Sequence, residues 1–227
     1  MRMIAMIPAR MGSQRLTKKN LRELSGATLI ARAIRRCRSA GCFDEIWVNS
    51  EHADFGPIAE SEGACFHQRP ELLGSHTATS EDFVEEFLQA HECEWLTQVH
   101  SIAPLVTVKE VQGFVQRARH GDLDVLLSCE PIQIECAMGG TPVNFSFDQK
   151  TNSQELSPVQ RISWSLSAWR RDAFLSARKA GGCATYAGRV GFHELGPMAA
   201  HVIKTQEDLD IAEALLPIVE REGDSTT

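Results

Sequence analysis

The chain predicts a Rossmann-like, doubly wound α/β fold on a mostly parallel sheet. Three observations carry that expectation. Short apolar runs of strand length alternate at least four times with segments whose apolar residues recur at helical spacing. The polar chemistry gathers in the loops that follow those runs, and in a crossover-connected sheet such loops meet at one edge. A length of 227 residues suits one main domain.

The first apolar run, Met3 to Ile7, reads as a buried strand ended by Pro8. Leu29, Ile30, Ala33 and Ile34, with arginines between them, mark a helix over Ala27 to Ala40 that Gly41 closes. EIWVNS (Glu45 to Ser50) is the second strand, Ala53 to Glu62 a helix with Pro57 in its first turn, and ACFHQ a third strand leading into the loop Arg69 to Ser80. Thr79 or Ser80 caps the next helix, with Glu81 and Asp82 at its positive end. Trp95 to Val99 is the fourth strand, Thr107 to Arg119 a helix and Asp124 to Pro131 a strand. Periodicity then weakens from Gln133 to Ser157, an excursion from the sheet. Ser163 to Phe174 reads as a strand entering a helix, GRVGFHEL as a further strand and AAHVIKT as the last one. Thr205 caps a closing helix, and the tail EREGDSTT is expected to be disordered. Residues 1–220 thus form a single domain, with residues 221–227 as its tail.

Composition narrows the function classes. With 43% apolar and 23% charged residues the chain is an ordinary globular protein. No apolar run approaches the roughly 18 residues of a membrane span, and Arg2 precedes only a strand-length run broken by Pro8 and Arg10, which does not read as a secretory leader. A cytoplasmic protein without a membrane partner is expected. The net charge of −7 argues against a general nucleic-acid surface. Seven cysteines, an odd number with no CxxC pair, read as free and mostly buried thiols.

The loop after the first strand carries Arg10, Gly12, Ser13, Arg15, Lys18, Lys19 and Asn20. Gly12 lets the backbone approach a guest, Ser13 adds a hydroxyl, and the cations offer charge-assisted donors to a polyanion such as a triphosphate. A solvated basic turn is the alternative. Free histidines elsewhere read mainly as structural, His193 and His201 among them; Trp164 and Trp169 read as core or self-association contacts.

IPARMGSQRLTKKNL resembles the nucleotide-binding signature of the acylneuraminate cytidylyltransferases, which activate sialic acid and related sugar acids as CMP conjugates. FDEIWVNSE, RPELLGSHTATS, PLVT and KTQEDLDIAEAL resemble further stretches of that family in the same order, so the likeness spans nearly the whole chain. It implies the nucleotide-diphospho-sugar transferase type of sheet. It also implies that Arg10, Ser13, Arg15 and Lys19 contact the phosphates of CTP beside Gly12 and Asn20, with Lys19 and Arg10 catalytic and Lys19 nearest the α-phosphate. Arg69 and the segment Ser75, His76 and Thr77 would hold the base, His76 standing where the family often has an acid. Gln98, His100 and Arg161 would meet a small acidic acceptor, Arg161 through a planar fork suited to a carboxylate. His100 reads a hydroxyl, acts as a base, or is a structural residue at a strand end. Residues 133–158 would form the surface of a homodimer.

Two stretches depart from the pattern. The resemblance implies Mg2+ held by two aspartates near the C-terminus, but their places fall on Val202 and Lys204, whose side chains offer no oxygen. Lys204 could stand for the ion's charge, the triphosphate and an acid such as Glu51 could hold the ion, or transfer could be lost. The polar turn after the fourth strand is HSIAPLV, with Val106 in place of an arginine.

Overall fold

The computed structural model describes residues 1–13, 15–75 and 77–224. Strand β1 (Met3–Pro8) is buried on both faces: Met3, Ala5 and Ile7 join one apolar cluster, Ile4 and Met6 another. That is the signature of a central parallel strand. A short hairpin of β2 (Glu23–Leu24) and β3 (Ala27–Thr28) precedes α1 (Leu29–Ala40). The Thr28 hydroxyl accepts the Ala31 N–H at 3.3 Å to cap α1, and Gly41 ends it in a left-handed conformation at φ 60°.

Next come β4 (Glu45–Ser50), α2 (Phe55–Ser61), β5 (Cys65–Gln68) and α3 (Ser80–Ala90). They are followed by β6 (Trp95–Val99), α4 (Val108–His120) and β7 (Val125–Ile132). Capping boxes, Thr79 with Asp82 and Thr107 with Glu110, open α3 and α4. Residues 133–158 then leave the sheet and include a small hairpin of β8 (Ala137–Met138) and β9 (Thr141–Pro142). The chain returns as β10 (Val159–Arg170), α5 (Arg171–Lys179), β11 (Val190–Glu194) and α6 (Gln206–Asp224).

The seven-stranded sheet has the order β11-β7-β10-β6-β1-β4-β5. Every pairing is parallel except those of β10, which lies antiparallel to both β6 and β7. Helices α1, α2 and α4 supply the apolar layer on one face, and α3 and α5 that on the other. Helix α6 packs with β2 and the start of α1 in a third cluster around Leu24, Leu29, Leu209 and Leu216. The C-terminal ends of β1, β4, β5, β6 and β7 share one edge, and the loops leaving them build the site.

Three expectations are corrected. AAHVIKT forms no strand: its segment turns over residues 197–200 and then runs without ladder pairing. Ile203 instead donates its N–H to Ile102 O at 2.8 Å and turns its side chain into the α6 cluster, while β11 takes the edge beside β7. The tail is helical as far as Asp224, because Val219 is buried and Glu220 pairs with Arg32 at 3.3 Å. Helices placed from Ala27 and Ala53 begin at Leu29 and Phe55, since Ala27 and Thr28 pair in the hairpin and Asp54 precedes the first helical turn. All seven cysteines are free, but only Cys37 and Cys129 are buried, so the expectation of mostly buried thiols does not hold.

Candidate active site

Glu51, the residue after β4, is the point at which three loops meet. One of its oxygens accepts the backbone N–H of Met11 at 2.9 Å, and the other accepts Arg69 Nη2 at 2.9 Å. The loops after β1, β4 and β5 are therefore tied to one carboxylate. Arg69 is buried, and it also donates to Asn49 Oδ1 at 2.7 Å and Ala9 O at 3.0 Å, with its guanidinium 4.7 Å from the centre of the Phe83 ring. Burial draws its pKa down and Glu51 pulls it back. Gly74 presses against Glu51 so closely that a Cβ there would lie 2.4 Å from Glu51 Cγ. An open cleft of about 1180 Å³ lies here, lined by Gly12, Glu51, Gln68, Arg69, Ser75 and Glu86 among others.

The loop after β1 reaches the other side of this edge. Lys18 adopts a left-handed conformation at φ 50° and starts the tight turn Lys19–Leu21. Lys19 Nζ then donates to Ile203 O at 3.0 Å, which fastens the loop to the segment before α6. Burial lowers the pKa of Lys19, and Arg15, Arg10 and Lys204 lower it further by like-charge repulsion, with Asp208 opposing them. Asn20 is buried: its amide donates to Arg10 O at 3.1 Å and its oxygen accepts the Ser101 hydroxyl at 2.8 Å. It braces the cation loop against the loop after β6.

His100 follows β6 directly, with its Nε2 at 3.2 Å from Gln98 Oε1, and the Ser167 hydroxyl stands 3.5 Å from the same oxygen. Although part of His100 reaches solvent, the protein around it and the charge of Lys19 bring its pKa down to about 4, so the imidazole is neutral at ordinary pH. Gln98 Nε2 is buried and unpartnered among the described residues. Arg36 of α1 supports this loop from below, donating to Ala103 O at 3.1 Å and Pro104 O at 2.5 Å. Neither Arg36 nor the Gly74 approach is anticipated by motif; for Arg36 a signal does exist, since its spacing from Ala33 and Ala40 puts it on the apolar face of α1.

The predicted site residues thus fall into groups. Gly12, Arg69 and Ser75 line the cleft. Arg10, Arg15 and Lys19 form a cation group with His100 beside it. Ser13 donates its N–H to Met11 O at 3.0 Å, and the Ser75 and Thr77 hydroxyls lie 3.0 Å apart. His76 lies outside the described residues. Arg161 extends past the C-terminal end of β6, because Leu166 is the residue that pairs with Val99, and its guanidinium is held by Glu130 of β7 with Nε at 2.9 Å.

The residues at the expected ion position do not fit a protein-held divalent metal. Val202 packs against the apolar layer and Lys204 is an exposed cation. Among the described residues no group of three His, Cys, Asp or Glu side chains is placed to hold a metal.

A family profile described as cytidylyltransferase matches residues 4–194. The chain belongs to the cytidylyltransferase family. It is similar to N-acylneuraminate cytidylyltransferase A of Danio rerio, with 25% identity over 77% of this chain and 41% of the relative. It is also similar to 3-deoxy-manno-octulosonate cytidylyltransferase of Myxococcus xanthus (strain DK1622), with 30% identity over 78% of this chain and 76% of the relative. The chain spans half or less of the acylneuraminate relatives it matches. Among solved structures, a CMP:2-keto-3-deoxy-manno-octonic acid synthetase complexed with CTP superposes with a TM-score of 0.72 at 18% identity, covering 96% of this chain and 99% of that one. The 2-C-methyl-D-erythritol 4-phosphate cytidylyltransferase of Thermus thermophilus gives 0.60 at 16% identity, covering 94% and 98%. These neighbours share the Rossmann-like fold. No helix among the described residues is long and apolar enough to cross a membrane.

Proposed function

We propose that the chain transfers CMP from CTP to a sugar acid or a related small acidic acceptor, with release of pyrophosphate. Family membership supports the reaction class, and one observation carries the assignment of the site. Lys19 is partly withdrawn from water beside Arg10 and Arg15, a concentration of positive charge that a polyphosphate would relieve. An acceptor oxygen attacks the α-phosphorus, the bond from that phosphorus to the β-bridging oxygen breaks, and pyrophosphate departs. Lys19 and Arg10 stabilise the charge that builds on the phosphoryl oxygens, and a preorganised loop does so without rearranging. An attacking hydroxyl must also shed a proton. His100, neutral at the end of β6, is the group that takes a hydrogen bond from it.

Arg69, Ser75 and Thr77 face the base in this reading, Arg69 by holding the cleft wall. Arg161 takes the acceptor's carboxylate by exchanging it for Glu130. Residues 133–158 are read as a self-association surface, on the ground that Ile134, Met138, Val143 and Phe147 stand exposed there. Sedimentation of the whole chain tests that part.

The reaction is tested by mixing the protein with CTP and a panel of acidic sugars and following pyrophosphate. Release with at least one acceptor, lost in Lys19→Met, is expected; silence across the panel would overturn the assignment.

A further inference from the structure

The cation group at the end of β1 is extended by Lys204, with the carboxylate of Asp208 opposing it in part. Lys19 Nζ bonds Ile203 O at 3.0 Å, so the neighbouring residue, Lys204, is drawn to the same edge. Its exposed side chain is close enough to Lys19 to repel it. Arg10 and Arg15 are exposed and also repel Lys19. Asp208 and Glu51 each hold hydrogen bonds of their own. Asp208 Oδ2 accepts from Lys204 N and Thr205 N, both at 2.8 Å, and from the Thr205 hydroxyl at 3.0 Å, which caps α6. Glu51 gives one oxygen to Met11 N and the other to Arg69.

Magnesium requires oxygen ligands in octahedral array and usually takes at least one or two from carboxylates. Of these two acids, Glu51 has both oxygens bonded and Asp208 has Oδ2 bonded, which does not make the pair of open carboxylates such an ion would use. What the edge offers is four side-chain cations, about the charge of a nucleoside triphosphate at neutral pH. We propose that Lys204, together with Lys19, Arg10 and Arg15, supplies the positive charge that neutralises the triphosphate, so that CTP binds this chain without a divalent ion held by the protein. This rests on the nucleotide reading given above. An ammonium on a flexible stem is a compact point charge with three donors, and it can follow the phosphates where a fixed ion cannot.

Isothermal calorimetry of CTP in EDTA and in excess magnesium, on the whole chain, tests it. The wild type is expected to bind with affinities within about threefold of each other in the two buffers. Lys204→Met should weaken binding about tenfold in both. Lys204→Asp should lose more in EDTA and recover most of the loss with magnesium, because it returns an oxygen ligand to the site. Lys204 is exposed, so both variants should keep the wild-type urea midpoint. Wild-type binding that needs magnesium, or a Lys204→Met affinity equal to wild type, overturns this inference alone. Absence of CTP binding in both buffers overturns the nucleotide reading and this inference with it.

Discussion

Replacing Arg69 with Met separates a structural brace from a free recognition group. The guanidinium makes three bonds of 3.0 Å or less, to Asn49 Oδ1, Ala9 O and Glu51 Oε2. In Arg69→Met the carboxylate of Glu51, whose side chain is 11% exposed, is left with Met11 N–H as its partner. Breaking one side of a buried ion pair costs about 3–5 kcal/mol, and each orphaned neutral acceptor adds about 1 kcal/mol. Because Glu51 borders an open cleft, water can take up part of the loss, and a net destabilisation of about 3 kcal/mol is expected. That is a large part of a typical stability of about 5–15 kcal/mol. Glu51→Met should cost a similar amount, and the double variant little more than either, for a coupling of about 2–3 kcal/mol. Urea unfolding followed by tryptophan fluorescence measures all four proteins. A loss below about 1 kcal/mol in Arg69→Met, or additivity within about 0.5 kcal/mol, would refute the brace and leave the arginine free for a ligand.

Three further outcomes follow from the same geometry. Gly74→Ala puts a Cβ at 2.4 Å from Glu51 Cγ and should cost about 1–3 kcal/mol in urea while weakening CTP binding, because the carboxylate must leave Arg69. His100 has a folded pKa near 4 against about 6.5 unfolded, so the unfolded chain binds more protons between those values. The His100 contribution to stability is therefore complete above about pH 6.5 and falls as pH drops toward about 4, by about 2–3 kcal/mol; His100→Gln should flatten that part of a pH series of urea midpoints. Arg36 is 8% exposed and its pKa is lowered by burial to about 10, so it stays charged at neutral pH while holding two carbonyls. Arg36→Met should lose about 2 kcal/mol by thermal unfolding, since two charge-assisted bonds outweigh the desolvation returned.

The elements most legible in the sequence are those whose own residues determine them. Met3 to Ile7 is buried on both faces, and an unbroken apolar run says so directly, whereas Trp95 to Val99 is buried although Thr97 and Gln98 interrupt its apolar run. Thr79 with Asp82 and Thr107 with Glu110 spell out helix starts at fixed spacing. The direction of β10 is a different matter, because an apolar strand carries no local mark of which neighbours it will pair with. AAHVIKT has a strand's composition, but its Ile203 finds its apolar partners on a helix. The cation loop is visible from its charge density alone, whereas the commitments of its members are not. Asn20 depends on Ser101, Lys19 on Ile203 and Arg69 on Glu51, partners distant in the chain that only the closed sheet brings together.

The reversed strand β10 also joins two parts of the sheet that share no other ladder. Strands β5, β4, β1 and β6 come from chain made early, and β7 with β11 pairs to none of them directly. Only β10 joins the two parts, closing a loop between Val99 and Leu166 on one side and between Cys129 and Ile162 on the other. Until it inserts, the fully buried β6 and the apolar half of β7 present open edges, the kind that pair promiscuously. Such non-local closure is slow compared with helix formation. The excursion at residues 133–158 is the connection between β7 and the reversed β10. The cations near the N-terminus are therefore synthesised first, yet the wall opposite them is completed by a strand from the final third of the chain.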